Sequence, residues 1–234
     1  MSDSSSLGGL IDRQVSLWES KKGQQVERRG TLGHPSEGPW ITISTQLGAG
    51  GAELAKSLGA RLGWQVFDKE IVGEIAKTTN TREKVLSRLD EHAVSAFEDY
   101  VTHLFVPGNL GRSAYVLEMM RVVWAIARQG KAIMLGRGAN WLLDPQYGVR
   151  VRAIAPVETR AAWLMRTQAM SEADAIRRVE EDNVDRAKFT RQVYKQEIDN
   201  PMGYDLVVNL GTLGLEPAVE VVAAALSSKL TAAQ

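Results

Sequence analysis

Three of the four residues 48–51 are glycine, within the stretch STQLGAGGAE that spans residues 44–53. It follows a short apolar run, Trp40-Ile41-Thr42-Ile43, and leads into a helical pattern of Leu54, Ala55, Leu58 and Leu62. A strand-to-helix turn of this kind binds phosphate through backbone N–H groups and the positive end of the helix, with no particular side chain required. Gly48, Gly50 and Gly51 permit backbone angles that other residues resist and let phosphate oxygens approach closely. A full Walker loop adds a lysine for the β/γ-phosphates and a hydroxyl for Mg²⁺. Those two positions hold Gly51 and Ala52 here, and Thr45 stands at the first glycine. On the motif alone, a structural turn competes evenly with a phosphate loop. A dinucleotide loop is the weaker alternative. Gly48-x-Gly50 and an acidic Asp68 fit its spacing, but Glu53 occupies the third glycine position, where an anion opposes a pyrophosphate.

A second set of chemically capable side chains lies further along. Arg160, Arg166, Arg177, Arg178, Arg186, Lys188 and Arg191 are interspersed with Glu180, Glu181, Asp182 and Asp185. For a charge run on a helix the default is a solvated face with i,i+4 pairs.

These groups must be positioned by alternating strands and helices. Strands are predicted over residues 40–44, 64–67, 131–135, 149–155 and 205–210, and helices over 52–62, 171–188 and 217–226. Gly63 suits the C-cap of the first helix, and Ser171 with Asp174 resembles a capping box. Residues 69–129 read as largely helical, broken near 106–111, with Asn80 and Glu83 as a candidate cap. Strands separated by helices imply a parallel sheet covered on both faces. Ahead of it, Leu7, Leu10, Ile11, Val15 and Trp18 share one face of a predicted amphipathic helix. A Gly/Pro-rich linker over 21–39 follows.

The totals narrow the classes. A length of 234 residues accommodates one α/β domain, or a core with a small appendage. With 28 basic and 28 acidic residues, no global field draws the chain to nucleic acid or an anionic membrane. The lack of cysteine excludes disulfides, cysteine-ligated clusters and thiol catalysis. His34, His92 and His103 show no metal-ligand spacing. The first ten residues have neither a basic n-region nor an apolar core, so a soluble, cytoplasmic protein is expected.

Read together and in order, ITISTQLGAGGAELAKSLGARLGWQVFDKEIV, GRGANWLLD, ETRAAWLMR and YDLVVNLGTLGLEPAVEVV resemble the cytidylate kinase-like family, relatives of the P-loop nucleoside monophosphate kinases. The resemblance covers about residues 40–226. It implies an α/β fold with a five-stranded parallel sheet flanked by helices, a helical insert over about 69–129 and a lid over about 160–191. The kinase-like domain would span 39–230, after an N-terminal helix and linker over 1–38. It also implies ATP and Mg²⁺ as cofactors, and phosphoryl transfer to a CMP-like nucleoside monophosphate or similar small acceptor. Phosphates would lie on Gly48, Ala49, Gly50, Gly51, Ala52 and Glu53. Asp68, Lys69, Arg137 and Asn140 would hold the acceptor, and Arg137, Arg186 and Arg191 would supply catalytic cations. The N-terminal helix resembles an extension of some family members and is a candidate homodimer contact; neither nucleic acid nor membrane is an expected partner. The departures are the missing loop lysine and hydroxyl, Leu135 and Gly138 where cytidylate kinase has aspartates, and Asn183 at a lid aspartate. They leave a non-catalytic nucleotide-binding module as the alternative.

Overall fold

In the computed structural model of the chain, residues 38–86, 94, 97 and 114–232 are described. The N-terminal helix, most of the linker and the break near 106–111 lie outside these residues. The chain divides into two compact units, Met1–Gly38 with Lys69–Gly130 and Pro39–Asp68 with Lys131–Gln234.

The second unit contains the sheet. Its strands are β1 (Trp40–Thr45), β2 (Gln65–Phe67), β3 (Ala132–Leu135), β4 (Gly148–Ile154) and β5 (Leu206–Asn209), all parallel in the order β2-β3-β1-β4-β5. As the central strand, β1 is covered on both faces, and Trp40, Ile41, Thr42 and Ile43 are all buried. The helices flanking the sheet are α1 (Gly51–Leu62), α5 (Ala139–Leu142), α6 (Val157–Gln168), α7 (Glu172–Tyr194), α8 (Leu210–Leu213) and α9 (Leu215–Ala232).

Period-two alternation sorts the strands into two chemistries. Ile41, Ile43, Ile133, Val149, Val151, Ala153 and Val208 join Leu54 and Leu58 of α1 and Val222 and Leu226 of α9 in one apolar core. The opposite face carries Thr42 and Ser44 of β1 beside Arg150 and Arg152 of β4, paired in register. A separate cluster, Ala161, Leu164, Ala175 and Val179, fastens α6 to α7. Leu47 of the glycine turn packs against it.

The first unit is helical where described: α2 (Lys69–Lys77), α3 (Thr79–Leu86) and α4 (Ala114–Gln129). Its core includes Val72, Ile75, Val85, Met119, Met120 and Ile126, with Phe97 edge-on to Trp124 at 5.7 Å. The cap expected at Asn80 is corrected: α3 starts at Thr79, with its first bond from Arg82 N to the Thr78 carbonyl at 2.9 Å, so position 80 lies inside the helix.

Two other boundaries moved. Helix α7 runs six residues past the predicted end at Lys188, because Thr190, Val193 and Tyr194 are buried and extend its packed face. Strand β5 stops at Asn209, whose side chain accepts from Gly211 N at 3.1 Å and turns the chain into α8. Among the described residues, no helix is long and apolar enough to cross a membrane.

Candidate active site

The glycine turn joins the C-terminal end of β1 to α1, at the edge of a parallel sheet where ligands bind in open α/β folds. Gly48 and Gly50 have φ of 76° and 85°. A Cβ at Gly48 would come within 2.7 Å of the Arg160 carbonyl, so glycine is required there on both conformational and steric grounds. Gly50 is the N-cap of α1 and makes no side-chain cap bond. The first helical bond runs from Leu54 N to Gly50 O at 3.0 Å. The N–H groups of Gly51, Ala52 and Glu53 therefore have no intrahelical partner and are available to an anion.

Gly51 is glycine for another reason. A Cβ there would lie 2.4 Å from both Cβ and Oγ1 of Thr45. The position of the Walker lysine is filled by the side chain at the first Walker glycine. Thr45 Oγ1 itself donates to the Gln46 carbonyl at 3.1 Å.

A cleft of about 380 Å³ opens above the turn, between Gly48, Ala49, Gly50 and Glu53 on one side and the ends of β4 and β5 on the other. Helix α6 contributes Thr159, Ala162, Trp163 and Arg166, and the chain around α8 contributes Leu210, Gly211 and Leu215. The wall therefore combines an indole and leucines with one guanidinium and the Glu53 carboxylate, beside a turn whose N–H groups are open to an anion. That suits a flat heterocycle attached to phosphates. Sequence reading assigned no role to Trp163, Leu210 or Leu215. The i, i+3, i+4, i+7 spacing of Thr159, Ala162, Trp163 and Arg166 was the available signal.

The sequence-predicted residues are distributed unevenly around this cleft. Gly48, Ala49, Gly50 and Glu53 line it, and Gly51 and Ala52 open α1 beside them. Arg137 lies in the turn after β3, where Gly136, Arg137 and Gly138 take φ of 82°, 56° and 67°. A left-handed arginine costs about 1 kcal/mol or more. Tyr194 holds it in place: its ring covers Gly138, and its hydroxyl donates to the Arg137 carbonyl at 2.6 Å.

Asn140 is buried and donates Nδ2 to Gly203 O at 3.3 Å. Asp68 follows the last residue of β2, at the same carboxyl edge of the sheet as the turn. Lys69 opens α2 in the helical unit, 3.4 Å from Glu70. Arg186 is ion-paired with Asp182 one turn away. Arg191 makes two bonds to Glu197, at 2.8 and 2.6 Å, which raise its own pKa and hold the Glu197 carboxyl below the usual range. Neither arginine lines the cleft; Arg166 does.

Two buried arginines complete the electrostatics. Arg160, 2% exposed, donates Nε to the Ala155 carbonyl and Nη1 to Asn183 Oδ1, each at 3.0 Å. Burial pulls its pKa down and the charge of Arg152 adds to this, against the opposing fields of Asp182 and Glu158. Arg152 emerges from the polar face of β4 under the end of β1. It bonds Ser44 Oγ at 2.9 Å and Asp199 at 3.0 Å. The Tyr204 ring lies 6.0 Å from its guanidinium carbon, and burial pushes the Tyr204 phenol up.

Among the described residues, no group of three or more His, Asp or Glu side chains could hold a metal ion. Ala52 supplies no hydroxyl, and that of Thr45 is bonded to the main chain. Among the described residues, neither loop position therefore offers Mg²⁺ the free hydroxyl of a full Walker loop.

Comparison with known proteins places this geometry. A cytidylate kinase of Ignicoccus hospitalis is 29% identical over 107 residues, which are 45% of this chain and 62% of that protein. A cytidylate kinase of Methanocaldococcus jannaschii is 25% identical over 108 residues, 44% and 60% of the two chains. The matches thus span less than two thirds of either relative. An uncharacterized protein of Eubacterium ventriosum shares the fold, with a TM-score of 0.62 at 16% identity over 81% of this chain and 98% of its own. The model of the cytidylate kinase-like family matches residues 40–212, from the first residue of β1 through the cleft-lining turn after β5, and the chain belongs to that family.

Proposed function

We propose that the protein transfers the γ-phosphoryl group of ATP to a nucleoside monophosphate, CMP-like, or to a similar small phosphate acceptor. One observation carries this reading. An uncapped helix N-terminus with two left-handed glycines faces a cleft walled by Trp163, Leu210 and Leu215, with Arg166 at its side. The donor's phosphates lie on the N–H groups of residues 50–53, and its base stacks on the indole. Arg137 takes the acceptor phosphate at the end of β3. Arg186 and Arg191 exchange Asp182 and Glu197 for phosphate oxygens when the α6–α7 lid closes. No step is assigned to a protein-bound metal.

The test is an assay of ATP-Mg²⁺ against CMP, dCMP, UMP, AMP and GMP with product identification. Phosphorylation of one acceptor is expected. Trp163→Ala should weaken ATP binding about tenfold or more. An acceptor panel that stays unphosphorylated rejects the reading.

One observation favours a second reading, a nucleotide-binding module without turnover: the closure of the lysine position by Thr45. That reading expects ATP to raise the melting temperature while labelled phosphate never moves.

A further inference from the structure

The hydrogen bonding of one buried guanidinium is half complete. Arg152 is 5% exposed. Its Nη1 donates to Ser44 Oγ and its Nη2 to Asp199 Oδ1, while Nε is buried without a hydrogen-bond partner. Nε and Nη2 share one edge of the guanidinium, the edge that grips an oxyanion through two parallel bonds. Asp199 fills half of it. The Asp199 side chain is 81% exposed against 5% for Arg152, so the carboxylate reaches in from solvent and is held there by little packing.

The local charge is also incomplete. Arg160 is a second buried cation, its pKa lowered by burial and in part by the charge of Arg152, and its hydrogen-bonded side-chain partner is the neutral Asn183. Asp182, the carboxylate that acts most strongly on Arg160, is engaged by Arg186. Of these two buried cations, Arg160 feels Asp182 and Glu158 only through space, and the one carboxylate bonded to either, Asp199, is exposed, so the pair is incompletely compensated.

We propose that the Nε/Nη2 edge of Arg152 is a phosphate-binding grip, with Asp199 as a built-in stand-in that an arriving phosphate group displaces. Ser44 connects the grip to the glycine turn. It is two residues before Gln46, whose N–H donates to the carbonyl of Ala153, the residue after Arg152. A phosphate on Arg152 therefore stands at the β1–β4 end of the turn, on the opposite face of the sheet from the apolar core. That the phosphate belongs to the acceptor rests on the function proposed above; the grip itself does not.

The test titrates inorganic phosphate calorimetrically at fixed pH and ionic strength. Asp199→Asn removes the competing charge at an exposed position and should tighten phosphate binding about three- to fivefold. Asp185→Asn, which removes another exposed carboxylate from the same unit, should change it little. Adding Arg152→Gln to Asp199→Asn should abolish the gain; if that double variant does not fold, the two single variants decide.

Unchanged or weaker phosphate binding in Asp199→Asn, or equal tightening in Asp185→Asn, overturns the grip. Transfer without the Asp199→Asn effect sinks the grip and spares the kinase reading. The effect without transfer to any acceptor does the reverse.

Discussion

The two faces of the sheet are built from the same strands and do different work. On one, Ile41 and Ile43 of β1 meet Leu54, Leu58 and Val222 in a closed apolar core. On the other, Thr42 and Ser44 lie beside Arg150 and Arg152, and the buried Thr42 Oγ1 and Arg152 Nε make no hydrogen bond. A polar group buried without a partner costs roughly 1–3 kcal/mol. The apolar face repays ordering with burial, while the polar face retains unfilled bonding capacity. Closed apolar packing and open polar bonding capacity are thus separated by a single residue of alternation.

The sharpest way to break this division is Ile43→Ala. It should cost about 2–5 kcal/mol of unfolding free energy in denaturant melts, with nucleotide affinity of the folded fraction unchanged. Lost affinity in a well-folded variant would show that the apolar face shapes the site directly.

Next is Asp205→Asn on the polar side. Burial alone would raise the Asp205 pKa, but bonds from the Arg150 side chain and backbone and from Lys229 outweigh it and lower the value from 3.8. The sign follows from linkage. A depressed folded-state carboxylate stabilises fully above its unfolded pKa, and that contribution fades as pH falls through the folded value. Asp205→Asn should cost about 1–3 kcal/mol near neutral pH, and its gap to the parent should close below pH 3.8. A gap independent of pH would assign the loss to packing.

An effect no larger than that is expected at the turn. Gly51→Lys should destabilise by about 1–3 kcal/mol, because its Cβ meets Thr45 at 2.4 Å. Thr45→Gly added to it should recover most of the loss despite the extra backbone freedom. Failure of the double variant to recover would place the strain elsewhere.

Much of the fold was legible because it rests on local chemistry. Gly63 has φ of 66° at the C-cap of α1, and the Ser171 side chain accepts from Asp174 N at the start of α7, both as their residue types imply. The glycines of the turn announced a backbone able to hold an anion. What sequence hid were relations across the chain. Nothing in VRVRAI tells that the second arginine is buried against Ser44, 108 positions away. Similarly, Gly51 reads as a lost lysine until Thr45 is seen in its space. Of the preferred lid cations, Arg186 takes the i,i+4 pair with Asp182 that helical spacing offers, whereas nothing in the spacing pointed from Arg191 to Glu197, beyond the end of the helix.

Helix α7 has 23 residues, and its last one, Tyr194, rests on the left-handed turn at Gly138. It is thus a lever about 34 Å long with its fulcrum at the turn after β3. A tilt of about 10° there sweeps the opposite tip through about 6 Å. Small adjustments at that turn are magnified into a wide swing of the outermost rim.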